Sequence, residues 1–575
     1  MRRFLTLPHR AALLSVLIPT LAHAQAEPTA SPPADQPAPQ APAAAQPQPV
    51  YIYAAGRTGM VAGESQINLF LPDPVQVANA DLPPRPRVQL SLQEVIRKTI
   101  RYNLQLETNA YDPAIAQARV VEAQAAFDAI YFLEFGYFTT DAPPNTPFTD
   151  QGQKTDGWSL RTGLRQRLPT GARVEGRFES TSTFIDPAQR GLYFPNVSTR
   201  FVAELSQPLL RGFGLDYNRA QIEIERNDRR RAIYTYQRQM DTVLRDAYRR
   251  YWQLVLARRD LVIQREVLER TKSTLRTLLD RQEAGLDVLS VNIATTRARL
   301  GLREAEFIEA KNRVFDAEDA LKNIINDPDL NLSMNIEIVP LDLPLAVPVV
   351  IDRLAEIQTA LDNRSDLQEA RLAIENARIS VGVTRNDLLP RLDAVLRFTL
   401  NGVDENFGAS FNQALEGDYY DIFVGANLEI PLGNRAAEAR HKIARLQLAK
   451  ASAAVRRVVE DIILDVNVAG RAVISNAEQL APALDSADAA REQVRTLEER
   501  SVDLSPEFLD TLLNAFQTQA ANRRTLLQAL VNYNIALAEL ERAKGTLLPF
   551  HNIQIIENDL PAVAPGWIPA PRSAP

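Results

Sequence analysis

Residues Leu215 to Ala284 read LDYNRAQIEIERNDRRRAIYTYQRQMDTVLRDAYRRYWQLVLARRDLVIQREVLERTKSTLRTLLDRQEA, with neither glycine nor proline among them. Wound as one α-helix, these 70 residues reach about 105 Å, several times the width of a compact domain. Within the run Met240, Ala247, Leu254, Leu261, Leu268 and Leu275 recur every seven residues, the spacing of a left-handed supercoil. A second apolar stripe through Trp252, Val255, Leu256, Val262, Ile263 and Val267 predicts a second packing neighbour. A helix is also predicted from Pro506 to Lys544. There Leu512, Phe516, Leu526, Leu530, Tyr533, Leu537 and Leu540 keep three- and four-residue spacings, interrupted by Gln519 and Arg523. An apolar stripe by itself means only a buried face. The length decides, because no single compact domain needs it.

Between the helices the period changes to two. Leu392, Ala394, Leu396, Phe398 and Leu400 alternate with Arg391, Asp393, Val395, Arg397 and Thr399. Tyr420, Ile422, Val424, Ala426, Leu428 and Ile430 alternate with Asp421, Phe423, Gly425, Asn427 and Glu429, and a loop rich in Gly, Asp and Asn joins the two segments. Strands about ten residues long with one apolar and one polar face fit a transmembrane hairpin, wet on one side and lipid-facing on the other. A half-exposed soluble sheet alternates in the same way. The first half carries similar segments at Trp158–Leu168, Ala172–Ser180 and Thr199–Leu205, and another strand begins at Phe132–Phe138.

The two halves are copies of one plan. Ala114 to Arg119 corresponds to Ala373 to Arg378, and at the same offset Asp128 falls on Asp387. Gln207-Pro208-Leu209 meets Ile430-Pro431-Leu432 where strand returns to helix. Each half reads helix, strands, very long helix, tight turn, returning helix. Asp128 to Gln207 spans 79 positions and Asp387 to Ile430 spans 43, so the first copy holds about 36 extra residues, enough for an added hairpin.

Composition argues against catalysis. The chain has 575 residues and 64.0 kDa, 45% hydrophobic and 23% charged, as a folded protein with a sizeable core should be. By length alone it would hold three or four ordinary domains. Its net charge of -7 is mild for this size and points to no nucleic-acid partner. Cysteine is absent, which removes thiolate chemistry, and histidine is limited to His9, His23, His441 and His551. No spacing suits a metal or cofactor, and neither a phosphate loop nor a nucleophile elbow is present. Arg229-Arg230-Arg231 sits beside Glu225 and Asp228 and reads as a solvated helix face.

The ends read as processing and tether segments. Arg2 and Arg3, the apolar stretch Ala11 to Leu21, and Ala22-His23-Ala24 have the layout of a signal peptide (1–24) cut near Ala24. Residues 25–88 and 549–575 are Pro-rich and predicted to be a disordered tether and a tail. The body then divides into a first repeat at 89–330, a linker at 331–350 and a second repeat at 351–548. No stretch of it is apolar for the ~18 residues a spanning helix needs, so membrane entry would use strands.

This sequence resembles the TolC family of outer-membrane efflux proteins over about Leu90 to Leu548. The resemblance rests on Leu92-Gln93-Glu94-Val95 through Asn103 and on Leu205-Ser206-Gln207-Pro208-Leu209-Leu210-Arg211-Gly212. It rests also on Leu388-Leu389-Pro390, Ile430-Pro431-Leu432-Gly433 and Gly285-Leu286, in that order and duplicated. It implies a mainly α fold with a β-barrel part: a homotrimer whose protomers share one barrel in outer-membrane lipid and one periplasmic helical tunnel. An inner-membrane pump would dock through a periplasmic adaptor protein at the helical tips, Gly285, Leu286 and Asp287 in the first copy and Leu504, Ser505 and Pro506 in the second. Cargo would be small molecules or secreted proteins. The tips depart from the family pattern, with a short first turn and Ser505-Pro506 where glycine is common. Relatives with a lipid on an N-terminal cysteine have no counterpart here, so no lipid anchor is expected. Arg281, Asp287, Arg500, Asp503, Glu507 and Asp510 are the candidate gate, since rings of acidic side chains favour cations and bridges between helices can latch a closed state. The same charges also serve as solvated ends and caps, and Ser505-Pro506 fits a helix start without further function. The alternative is a periplasmic coiled-coil adaptor or scaffold without a pore. It explains the helices, but neither the matched hairpins nor the duplication.

Overall fold

The computed structural model describes residues 85–143, 153–186, 195–286, 288–347, 349–500 and 505–553. The signal peptide, nearly all of the tether and most of the tail expected above lie outside them. In the first copy, strand β1 (Arg87–Leu90) leads into helices α1 (Leu92–Tyr102) and α2 (Leu104–Gln124). Four strands follow, β2 (Ile130–Ala142), β3 (Gln153–Arg167), β4 (Arg173–Asp186) and β5 (Asn196–Pro208), and then helices α3 (Leu215–Glu283) and α4 (Ser290–Ile325). The second copy runs β6 (Glu337–Pro340), α5 (Arg353–Asn363), α6 (Ser365–Asn386), β7 (Arg391–Asp404), α7 (Phe407–Glu416), β8 (Tyr420–Glu429), α8 (Arg435–Glu499) and α9 (Pro506–Lys544).

The breaker-free run forms one helix of 69 residues. Met240, Ala247, Leu254, Leu261 and Leu268 of its seven-residue repeat are buried, as are Trp252, Val255, Val262, Ile263 and Val267 of the second stripe. Two stripes are needed because α3 packs against α2, α4, α6 and α9. Gln519 and Arg523, which interrupt the stripe of α9, turn out to be its links to α3. The Arg270 guanidinium donates to the Gln519 side-chain oxygen at 3.2 Å, and Arg523 pairs with Glu266.

Each long helix is matched by two shorter ones placed end to end. Beside α3 stand α2 and α4, of 21 and 36 residues; beside α8, of 65 residues, stand α6 and α9, of 22 and 39. The joints are alike. In the first, Asn103 caps the start of α2 while its side-chain amide donates to the Ile324 carbonyl at 2.6 Å, near the end of α4. In the second, Arg364 stands between α5 and α6 and donates to the Ala543 carbonyl of α9 at 3.2 Å. Gly545 ends α9 in a left-handed conformation, and a Cβ there would lie 3.2 Å from the Asn363 backbone. One joint thus closes with an amide and the other with a guanidinium.

A small sheet ties these joints to the rest. β1 pairs parallel with β6, Arg87 opposite Glu337, across 250 positions of sequence. Beneath it Arg258 of α3 is 1% exposed and donates to Glu337 at 2.5 Å, Glu318 of α4 at 3.1 Å and the Ile338 carbonyl at 2.9 Å. Arg85 and Arg87 neutralise the same two carboxylates from the other side. Three expected boundaries shift as a result. Ordered structure begins before residue 89, the linker contains a strand, and residues Leu547–Phe550 form a helical turn whose follower His551 meets the Tyr248 hydroxyl at 2.6 Å. Proline content hid all three, because short pairings with distant segments leave no local period. Removing one member of a buried ionic cluster strands the others in low dielectric. Arg258→Ala is therefore expected to cost about 3–5 kcal/mol, read as a fall in thermal unfolding temperature in detergent.

Candidate functional site

The remaining strands form one antiparallel sheet in the order β2-β3-β4-β5-β7-β8, so the extra residues of the first copy are indeed a second hairpin. Register sorts its side chains into two faces. On one face lie Tyr131, Leu133, Phe135 and Tyr137 of β2, Leu160 and Leu164 of β3, Phe178, Phe201, Leu396, Phe398, and Ile422 and Val424 of β8. Phe135 is 71% exposed and Val424 is 76% exposed. Water does not stabilise such a surface, whereas hydrocarbon does. Among the described residues no helix is long and apolar enough to cross a membrane.

The opposite face is charged from edge to edge. Arg161 lies 3.2 Å from Glu179 and 3.9 Å from Glu134. Arg177 reaches Glu179 at 2.7 Å, Glu175 at 3.1 Å and Glu204 at 3.4 Å, and Arg397 reaches Glu204 at 2.9 Å. Arg397 then stacks over the Phe423 ring of the last strand at 5.8 Å. Four carboxylates and these three guanidiniums make an ion-paired belt across the wall, and Arg200 stands opposite Glu179 on the same face.

At the end of the sheet where strands become helices, the turn between β3 and β4 packs under the loop that opens α3. Gly171, at φ +94°, would place a Cβ 2.4 Å from the Gly212 carbonyl, so only glycine fits. The Tyr217 hydroxyl donates to Asp387 at 2.9 Å, and burial followed by that carboxylate pushes its pKa up. Gly171, Gly212 and Tyr217, with Arg167, Arg173, Arg211 and Arg391 and the acids Asp393 and Glu429, line a cavity of about 300 Å³.

At the other end of the sheet the hairpin loop of the second copy, expected to be irregular, contains α7. The helix lies on the apolar face. Its Ser410 Oγ sits 2.7 Å from Thr199 Oγ1, which in turn sits 3.2 Å from Ser180 Oγ, and all three residues are fully buried. Phe407 and Phe411 pack on Phe178 and Phe201 with ring centroids 5.5–6.4 Å apart. The helix thus covers hydroxyls that would otherwise face hydrocarbon. Phe407, Ser410, Phe411 and Ala414 stand at helical spacing, but a run of ten residues is too short to distinguish from a loop by period alone.

At the far end of the helices, Gly285 at φ +73° ends α3, with the Leu286 N–H donating to the Arg281 carbonyl at 3.0 Å and the Gly285 N–H to Gln282 at 3.1 Å. Such a paired closure satisfies the last carbonyls. Leu286 is exposed. Ser505 accepts from the Phe508 N–H at 3.4 Å, with Pro506 in the first helical position. Asp287, Asp503 and Leu504 lie outside the described residues. Of the candidate gate, Asp510 is paired, with Arg299 of α4, and Arg299 also donates to Asn514 at 2.7 Å. Among the described residues Arg500 and Glu507 make no ion pair. Arg299 was missed because it belongs to a helix whose own sequence shows no exceptional charge; only the antiparallel packing brings it to α9.

Residues 357–546 match the family described as outer membrane efflux protein. The outer-membrane channel OprN is similar with a TM-score of 0.58 at 16% identity, over 79% of this chain and 90% of that one. The chain has the outer membrane efflux protein fold. The CmeC outer-membrane channel of Campylobacter jejuni is similar with a TM-score of 0.58 at 16% identity, over 79% of this chain and 86% of that one. For the outer-membrane protein VceC of Vibrio cholerae the TM-score is 0.57 at 14% identity, over 79% and 96%. A comparison with curated protein sequences finds no significant match. The efflux-protein family match falls on the second copy, while the structural likeness spans most of the chain.

Gly402 of β7 lets α7 approach the sheet, since a Cβ there would meet the Ser410 carbonyl at 2.0 Å. Gly402→Val is expected to lift α7 off the wall. Proteolysis of outer-membrane vesicles should then cut within residues 405–418 at least tenfold faster than in the wild type, with the helical part unaffected.

Proposed function

We propose that three copies of this chain assemble into an outer-membrane channel that carries solutes through a periplasmic tunnel. The observation that carries this reading is a six-stranded sheet, apolar outside and charged inside, whose two edge strands are open and whose ends run into helices about 100 Å long. In lipid, an open edge leaves backbone groups unpaired at several kcal/mol each. Six strands alternate in direction, so β8 of one copy meets β2 of the next antiparallel, and a ring of three closes with eighteen strands. A barrel of that size leaves an aqueous lumen. Apolar residues left exposed on the helices, among them Ile443, Leu446, Leu464 and Val468 of α8, suit the contacts between neighbouring copies.

The channel is a passive conduit rather than an enzyme, so energy would come from an inner-membrane pump reached through a periplasmic adaptor protein. Gly285, Leu286, Asp287, Leu504, Ser505 and Pro506 would contact that adaptor. Arg281, Asp287, Arg500, Asp503, Glu507 and Asp510 would line or flank the gate, with the Arg299–Asp510 bridge holding the returning helices together in the narrow state. Cargo of the small-molecule class fits the family resemblance, with secreted protein as the other class.

Two measurements test this. Because the chain has no cysteine, Val424→Cys can be combined in turn with Tyr131→Cys, Leu133→Cys and Phe135→Cys. At least one pair should give a covalent trimer on non-reducing gels of outer membranes. Monomer at every pair, or recovery of the wild type in the soluble periplasm as a scaffold would behave, overturns the assembly. For the gate, Arg299→Ala and Asp510→Ala should each raise single-channel conductance in planar bilayers severalfold, whereas conductance equal to the wild type removes the bridge from the mechanism.

A further inference from the structure

The charges on the polar face of the sheet are not balanced evenly along its height. In the belt every carboxylate has an arginine. At the strand-to-helix end the relation reverses. Arg165 and Arg167 close β3 and Arg173 opens β4, all on the polar face and all exposed. The acids nearby are already engaged: Asp387 by Tyr217 and by Arg211 at 3.9 Å, Asp393 by Arg391 at 2.8 Å, and Glu429 by Arg391 at 3.8 Å. Arg167 donates at 2.7 Å to the side-chain oxygen of Asn218, a neutral group, and Arg165 lies over the Phe132 ring at 5.7 Å. Among the described residues none of the three guanidiniums has a carboxylate partner.

Their positions are held. The turn that joins the two strands is closed by the Leu168 N–H donating to the Ala172 carbonyl at 2.8 Å and the Gly171 N–H to Leu168 at 2.9 Å. The close contact of Gly171 with Gly212 docks that turn on the start of α3. Arg167 and Arg173 both border the 300 Å³ cavity there. A guanidinium presents a planar fork of donors that matches carboxylate and phosphate oxygens, and rings of arginine in pores favour anions.

We propose that Arg167 and Arg173, backed by Arg165, form an anion-selective collar where the barrel meets the tunnel, and that it takes carboxylate- or phosphate-bearing solutes on their way out. This rests on the channel assembly argued above, in which three copies bring nine such guanidiniums to one level of the lumen. With a screening length of about 8 Å at physiological salt, a solute passing close to that wall is still attracted.

The test uses the full-length protein in planar bilayers under a tenfold KCl gradient, with citrate as the probe anion. Charge at the helical tips is common to all variants, so the comparison reads the collar alone. Relative to the wild type, the R165Q/R167Q/R173Q variant should shift the reversal potential toward potassium, with the chloride-to-potassium permeability ratio falling at least threefold. Millimolar citrate should block the wild type and block this variant at least tenfold less. The corresponding triple lysine variant should keep both properties. R173Q alone, at a residue whose side chain has no hydrogen-bond or ion-pair partner among the described residues, should show a smaller shift in the same direction and covers the case of a triple variant that does not assemble. Conducting glutamine variants with wild-type selectivity and wild-type citrate block overturn the collar, as does a lysine variant that behaves like the glutamine one. A wild type that inserts as a trimer and conducts nothing overturns the channel reading itself.

Discussion

A backbone N–H or C=O exposed to hydrocarbon has nothing to bond with, and that constraint governs this molecule. Six strands cannot close on themselves here; β2 and β8 stand at opposite ends of the sheet, and among the described residues their outer edges are unpaired. The helices inherit the consequence. An arc of barrel wall determines where each strand hands over to a helix, and the handover points Pro208–Gly214 and Glu429–Asn434 are packed turns rather than loose linkers. The Leu209 N–H donates to Leu392 at 2.7 Å and the Arg211 N–H to Pro390 at 3.2 Å, so the two copies brace each other at the rim.

Away from the membrane the same chain meets a different problem, that of keeping helices of 65 and 69 residues in register. Apolar stripes alone would permit sliding by a heptad. Polar pairs between specific positions remove that freedom: Arg270 with Gln519 and, on α8, with Glu498 at 3.3 Å, Arg523 with Glu266, Arg299 with Asp510, and in the middle the buried Arg258 cluster. Exposed members of this set contribute little stability each. Arg258 is different, since its burial makes any misaligned state leave two carboxylates unpaired. Register is thus held by groups that look like interruptions in the periodic pattern.

How much was legible follows from the range of each interaction. The long helices, their buried stripes and the alternating strands were visible because helix and strand periods are written within a dozen residues. The added hairpin was visible as surplus length between matched landmarks. Three features were not visible. β6 was hidden because its partner lies 250 positions away, α7 because Gly402 makes room for it from another element, and Arg299 because its role appears only when α4 folds back beside α9. The short Pro-rich segments misled for a related reason, since proline marks the absence of regular periodicity but not the absence of contacts.

What the sequence by itself determined is therefore the set of building blocks and their duplication: breaker-free heptads make helices of about 100 Å, and two-residue alternation makes strands with one greasy and one wet face. Only the tertiary structure decided which arginines of the wet face are neutralised. Arg161, Arg177 and Arg397 find glutamates on neighbouring strands, whereas among the described residues Arg165, Arg167 and Arg173 do not. The physical reason is that a charge has no intrinsic partner. Its partner is set by strand register and by which side chains come within about 4 Å, and both are properties of the assembled sheet.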